Sequence, residues 1–309
     1  MCIRDRTSVF SPLALNNATG TFNSTGFPID TQIVTARSLT DGRAVMDRLR
    51  GVSTTSAEDG PILQTNNTLA ESPNSVARGW NNTGFQTSSS GYPNIAAIYW
   101  NFRRAPGFFD VVCYTGTGAG QTVNHNLGVV PELIILKNRS SGSTDWPVKC
   151  PVGLTNTGVV YLNLDLSNAT GVWQTGDTST TFKTRASSNL FYNQSGQTYV
   201  AYLFATVAGV SKVGAYTGTG ALQTINCGFT GGARFVLIKR TDDTGDWYCW
   251  DSSRGIVSGN DPYLLLNSTA AEVTNTDYID TYSAGFEISS TAPAAINANG
   301  GSFVFLAIS

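Results

Sequence analysis

Tyr114-Thr-Gly-Thr-Gly118 is answered 102 residues on by Tyr216-Thr-Gly-Thr-Gly220. Val111-Val-Cys leads into the first copy and Val213-Gly-Ala into the second, so each motif ends a short apolar run at a glycine turn, where positive φ costs little. Outward from the pair, Gln121-Thr-Val-Asn124 matches Gln223-Thr-Ile-Asn226. Leu133-Ile-Ile-Leu-Lys137 matches Phe235-Val-Leu-Ile-Lys239, again 102 apart. Trp146 and Trp247 follow and are read as core. Asn193-Gln-Ser-Gly196 precedes Tyr199-Val-Ala-Tyr-Leu-Phe204, and Asn297-Ala-Asn-Gly300 precedes Phe303-Val-Phe-Leu-Ala-Ile308. Self-similarity at a fixed spacing is the mark of a repeat.

A diverged third copy lies upstream. Gly26-Phe27 matches Gly228-Phe229, with a basic residue ten positions on in both, Arg37 and Lys239. Asp47-Arg-Leu-Arg50-Gly51 matches Asp251-Ser-Ser-Arg254-Gly255, and Glu71 matches Glu272. Gly84-Phe85 matches Gly285-Phe286, and Ala97-Ile-Tyr-Trp-Asn-Phe102 is the closing strand. No Tyr-Thr-Gly-Thr-Gly precedes this copy, so the reading gives it no leading strand. The expected fold is all-β, with three tandem β-sandwich-like units of about 100 residues each, the first lacking its leading strand. The expected organisation is an N-terminal segment 1–25, a shortened unit 26–107, and full units 108–209 and 210–309. Met1-Cys-Ile-Arg-Asp-Arg6 reads as a translated adapter and is left out of the fold. The joints Ala105-Pro-Gly107 and Ala208-Gly209 are short, which predicts units packed end to end as a rod or sharing strands across the boundary.

Composition agrees with a turn-rich β chain. Of 309 residues 32 are Gly, charged residues are 13%, and the net charge is −2. No residue run holds a helical apolar stripe for long, so helices should be few. The absence of a basic stripe argues against nucleic-acid binding, and the apolar runs are too short for a helical membrane span. The five cysteines form no C-x-x-C pair and there is one histidine, so they read as buried or half-buried free thiols.

No catalytic constellation emerges. His125 lies in Asn124-His-Asn126, has Cys227 at the matching position, and reads as a strand-end residue. The repeated D-x-x-R-G reads as a turn held by its Asp and Arg, because Cys150-Pro-Val-Gly153 replaces it in the middle unit. Glu71 and Glu272 recur singly and read as scaffold. Asp242, Asp243 and Asp246 resemble a calcium loop only loosely, and no metal or cofactor is assigned. The remaining candidates are aromatics in diverging segments rich in Asn, Thr and Gly: Trp80, Tyr92, Trp173, Tyr192, Tyr278 and Tyr282. Aromatic faces beside small polar groups suit carbohydrate binding.

The stretch Arg103-Arg-Ala-Pro-Gly-Phe-Phe-Asp-Val-Val-Cys-Tyr-Thr-Gly-Thr-Gly118 resembles a repeat family of unknown function found in bacteriophage and prophage tail-associated proteins. So do His125-Asn-Leu-Gly-Val-Val-Pro131, Ser195-Gly-Gln-Thr-Tyr-Val-Ala-Tyr-Leu-Phe204 and Phe235-Val-Leu-Ile-Lys-Arg-Thr241. The resemblance implies a non-enzymatic, virion-associated tail-fibre-like protein. Its partners would be other virion tail proteins and host cell-surface polysaccharide, with a homotrimer as the expected assembly. The alternatives are a purely structural virion or decoration protein, and a depolymerase acting on surface glycans.

Overall fold

The computed structural model describes residues 6–16, 20–51, 59–74, 77–87, 95–170, 173–186 and 190–309. Strands dominate among them, and the one α-helix there is the four-residue Ala294–Asn297, so the chain is all-β with several sheets. No helix among these residues is long and apolar enough to cross a membrane.

Three large sheets follow one strand order. Across the last sheet lie Ser211–Thr217, Ser302–Ile308, Phe235–Arg240, Trp247–Asp251 and Leu264–Leu265. Across the middle sheet lie Phe109–Thr115, Thr198–Phe204, Leu133–Asn138, Pro147–Lys149 and Val160–Tyr161. The first sheet runs Phe10–Asn16, Ala96–Phe102, Thr31–Ala36, Ala44–Asp47 and Asp59–Gln64, with Ser72–Asn74 added at its far edge. All pairings are antiparallel.

The central strand of each sheet is apolar at consecutive positions because both of its faces are covered. Trp100 and Phe102, Tyr202 and Phe204, and Leu306 and Ile308 all enter one cluster that draws on all three sheets. The alternate residues Tyr99, Tyr199 and Phe305 enter three separate outer clusters. Over each outer face lies a small sheet: Phe22–Ser24 with Gly84–Thr87 and Ala77–Arg78, Gln121–Asn124 with Thr181–Thr184, and Gln223–Asn226 with Gly285–Ile288 and Ile279–Tyr282. Each large sheet is thus sandwiched between a shared core and its own cover.

Two expectations are corrected. The first sheet does have a leading strand: Phe10–Asn16 pairs with Ala96–Phe102 from Phe10↔Phe102 to Asn16↔Ala96. The glycine-turn motif was the signal sought, but an edge strand needs only a backbone to pair and Phe10 to bury, which it does fully. Pro12 is tolerated because an edge strand has one side without a ladder partner. The boundary at residue 25 therefore falls inside the first sheet. The register also shifts one match: Ile33↔Trp100 and Leu237↔Leu306 align Lys239 with Thr35, not with Arg37.

The second correction concerns the rod. An end-to-end stack would keep the first and last sheets apart, yet they touch directly. Arg37 O accepts from Glu272 N at 2.8 Å, Arg139 O from Glu71 N at 2.8 Å, and Thr241 O from Asn168 N at 2.8 Å. Positions 37, 139 and 241 are spaced by 102, and each bond reaches a different neighbouring sheet. The contacts run first to last, middle to first and last to middle, which closes a ring. Arg43 Nε, Trp146 Nε1 and Trp247 Nε1 repeat the pattern one strand over, donating to Leu265 O, Gln64 O and Tyr161 O at 3.0, 3.0 and 2.8 Å. Those three acceptors face Tyr248, Ala44 and Pro147, the same place in each sheet. The joints permit this because each is a tight reversal, with Phe109 N bonded to Ala105 O and Ser211 N to Val207 O.

The Tyr-Thr-Gly-Thr-Gly motif locks the start of the middle and last sheets to their ends. Tyr114 stacks on Tyr199 and Tyr216 on Phe303, with centroids 5.0 and 4.8 Å apart. Their hydroxyls donate to Tyr192 O and Ile296 O. Asn193 and Asn297 accept from Thr117 N and Thr219 N, and donate to Ala119 O and Ala221 O. Gly116 and Gly218 lie so close to Gln194 O and Ala298 O that any Cβ would overlap them.

Candidate functional site

The aromatic candidates are placed differently from their reading as exposed faces. Trp80, Trp173 and Tyr192 are buried, and Tyr278 and Tyr282 are half-buried. Tyr92 lies outside the described residues. Trp173 packs edge-on against Tyr192 at 5.7 Å, and Tyr278 stacks on Tyr263 at 5.6 Å. No ring cluster open to a sugar face is assembled among the described ones. Trp146 and Trp247 are core, as read.

The D-x-x-R-G turns are buried braces. Arg50 Nε meets Asp47 Oδ2 at 2.6 Å, and Arg254 Nε meets Asp251 Oδ2 at 2.6 Å. Each Arg also donates to the carbonyl two residues before its Asp, Val45 O or Cys249 O, and to Glu71 or Glu272. These glutamates bridge the seams, because Arg139 and Arg37 grip them from the adjoining sheet. Burial works against both guanidinium charges, but the facing carboxylates more than offset it and hold each Arg above its ordinary pKa. Tyr202 Oη donates to Asp47 Oδ2 and Trp100 Nε1 to Asp251 Oδ2, each from a neighbouring sheet, at 2.8 Å. The matching central-strand residue of the last sheet is Leu306, which has no donor. There the middle sheet replaces the acid with Cys150, whose thiol burial pushes up to about 12. Donor and acid are kept or lost together.

The charged groups of the main cleft have internal partners. A cleft of about 370 Å³ is lined by Glu132, Lys149, Asp177 and nearby Pro and Val side chains. Lys149 Nζ is bound by Asp177 Oδ2 at 2.6 Å and Gln174 O at 2.8 Å, while Glu132 Oε2 is bound by the Thr206 N–H and hydroxyl. His125 is buried just after Gln121–Asn124, its Nδ1 accepts from Leu127 N, and burial lowers its pKa. Cys113, Cys150, Cys227 and Cys249 are free and buried or half-buried. The 242–246 acids do not converge: Asp242 is clasped by Arg240 and Asp246 accepts from Asn267.

Acids converge elsewhere. Asp261, Asp277 and Asp280 bring carboxylate oxygens within 4.8 Å of one another. Asp261 ends the loop after the second D-x-x-R-G turn, Asp277 follows Asn275 with its positive φ of 61°, and Asp280 lies on Ile279–Tyr282. Burial, with Asp280 and Asp277 nearby, pushes the Asp261 carboxyl up to about 7. The trio is illegible as a motif because its members lie on two loops and a strand with no recognised spacing. The available signal was four acids, the trio and Glu272, within twenty residues of an acid-poor chain.

Residues 13–309 match the family described as a domain of unknown function, DUF7483. No curated protein and no solved structure matches the chain.

Proposed function

We propose, for a chain that belongs to the DUF7483 family of unknown function, a non-enzymatic role as a structural and binding module of a bacteriophage tail-fibre-like appendage. In this reading the three sheets are three copies of one unit, closed around a common core. The single observation that carries it is the set of seam bonds at positions 37, 139 and 241, which meet the neighbouring sheet in the same way. One chain then supplies the threefold surface that a trimeric appendage supplies with three. It suits a part that docks on such an appendage along a shared axis.

The non-enzymatic reading is supported by Lys149, Asp177, Glu132 and the two Arg–Asp braces, whose polar atoms are held by internal partners. The phage context is supported by the sequence resemblance. Between assembly and host attachment, burial of Trp80, Trp173 and Tyr192 favours assembly with other virion tail proteins. Tyr278 and Tyr282 are the rings left to meet surface polysaccharide. Gold-labelled antibody against the chain is expected to decorate tails in electron micrographs of particles that encode it. The purified chain is expected to bind tail proteins of that particle, with weaker retention on host polysaccharide. Absence from the particle overturns the proposal, and polysaccharide cleavage by the purified chain overturns its non-enzymatic part.

A further inference from the structure

We propose that Asp261, Asp277 and Asp280 form a calcium-binding site on the outer side of the last sheet. The trio comes from two loops, which carry Asp261 and Asp277 and are tied together twice, and from the strand Ile279–Tyr282, which carries Asp280. Asp261 N donates to Thr276 O at 2.6 Å, and Thr276 Oγ1 donates back to Asp261 O at 2.7 Å. Thr291 Oγ1 holds Asp277 O in turn. The loop that precedes Asp261 orients two of the acids: Val257 N donates to Asp261 Oδ1 at 2.9 Å and Gly259 N to Asp280 Oδ1 at 3.1 Å.

The second, independent observation lies in the oxygens left over. Asp261 is wholly buried, yet its Oδ2 accepts no hydrogen bond, and Asp277 Oδ1 is shut from solvent in the same condition. Other buried acids of this chain each face a cation: Asp47 faces Arg50, Asp251 faces Arg254, and Asp177 faces Lys149. Among the described residues, none of the three clustered acids is in an ion pair with Lys, Arg or His. A carboxylate oxygen denied both water and a donor costs stability unless a cation meets it.

The donors are all oxygen, with no Cys or His in the group, which selects a hard cation. Calcium accepts six to eight oxygens in flexible geometry and suits loop carboxylates. Magnesium demands a near-ideal octahedron and keeps its water. The middle sheet has the same bridge in this region, Val159↔Ala169 for Tyr263↔Val273. Counted from that bridge, Asp261 and Asp277 are replaced there by Thr157 and Trp173. The middle sheet therefore lacks the site, the last sheet carries the one such acid group among the described residues, and the site does not rest on the phage reading.

The test is calcium titration of the chelator-treated full chain, followed by thermal unfolding and by terbium luminescence, with Tyr278 and Tyr263 as the nearby sensitising rings. Millimolar calcium chloride is expected to raise Tm by several degrees and to displace terbium. Asp277→Asn and Asp280→Asn should abolish both effects while leaving Tm in chelator equal or higher, since each removes a repelling charge without changing shape. No calcium response in the natural chain, an undiminished response in either variant, or an equal response to magnesium would each overturn the assignment.

Discussion

At the residue scale, the seams show a rule of polar satisfaction. Trp100 Nε1 and Tyr202 Oη each meet an aspartate that an arginine also holds, and where Leu306 offers no donor the aspartate is gone. Removing the acid should therefore cost more than removing the donor. Asp251→Ala takes from the fully buried Arg254 its nearest carboxylate, leaving it Glu272 and the Cys249 carbonyl, and is expected to cost about 3 kcal/mol. Trp100→Phe leaves Asp251 to Arg254 and should cost about 1–3 kcal/mol from the lost hydrogen bond and reduced packing. Urea unfolding of both variants gives the comparison, and equal costs would contradict the rule. These partners were illegible in the sequence. D-x-x-R-G shows a brace, but Trp100 and Asp251 are 151 residues apart, and no local pattern pairs them. Burial of Trp80, Trp173 and Tyr192 was illegible for a related reason, since polar flanks describe a turn and not which way its ring points.

At the element scale, the third strand of the middle and last large sheets carries a lysine where the sequence shows only an apolar run with a basic end. Lys137 donates to Thr68 O and Thr144 O, and Lys239 to Asp165 O and Gly245 O, so each charge is capped by carbonyls from its own sheet and its neighbour. Burial lowers both lysines to about 8 from 10.5, with nearby Asp145 pulling Lys137 back up and Asp165 and Asp246 doing so for Lys239. The unfolded chain thus holds these protons over a pH range in which the folded chain has released them, so this contribution to stability rises with pH between about 8 and 10.5. Lys239→Met removes one such term. The stability of the natural chain relative to this variant is expected to grow by on the order of 2 kcal/mol across that window. A difference that stays flat with pH would contradict the shift. Strand positions themselves were legible, because runs such as Leu133–Asn138 and Phe235–Arg240 are apolar without interruption and bounded by turns. Phe10–Asn16 was not, since it lacks the glycine turn and contains a proline.

At the scale of the whole molecule, the shared core joins what the sequence divides. Phe10, Trp100, Phe102, Phe204 and Phe235 from all three sheets belong to one cluster, and Phe102 contacts Phe109, Phe204 and Phe235 at 5.6, 5.8 and 6.1 Å. A sheet unfolding alone would expose the inner faces of the other two. The chain is therefore expected to unfold in one calorimetric transition with equal van't Hoff and calorimetric enthalpies. Separate transitions for separate segments would show the cores to be independent. The 102-residue spacing of the matching motifs was legible, and the strand order shared by the three large sheets accords with it. Their closure was not, because short joints are equally compatible with a stack.

The seam between the middle and last sheets keeps the backbone bond from Asn168 to Thr241 but has neither the bridging glutamate nor the donor–acid pair of the other two. In an assembly of identical chains, one altered codon would change every seam at once. Here each seam has its own residues, so a substitution acts at a single place while two intact seams keep the whole closed. Leu306 with Cys150 at one seam, and the acids 261, 277 and 280 grouped on the last sheet and not on the middle one, are differences that such a chain can accumulate singly. Covalent linkage thereby lets one face specialise while its two counterparts continue to hold the frame.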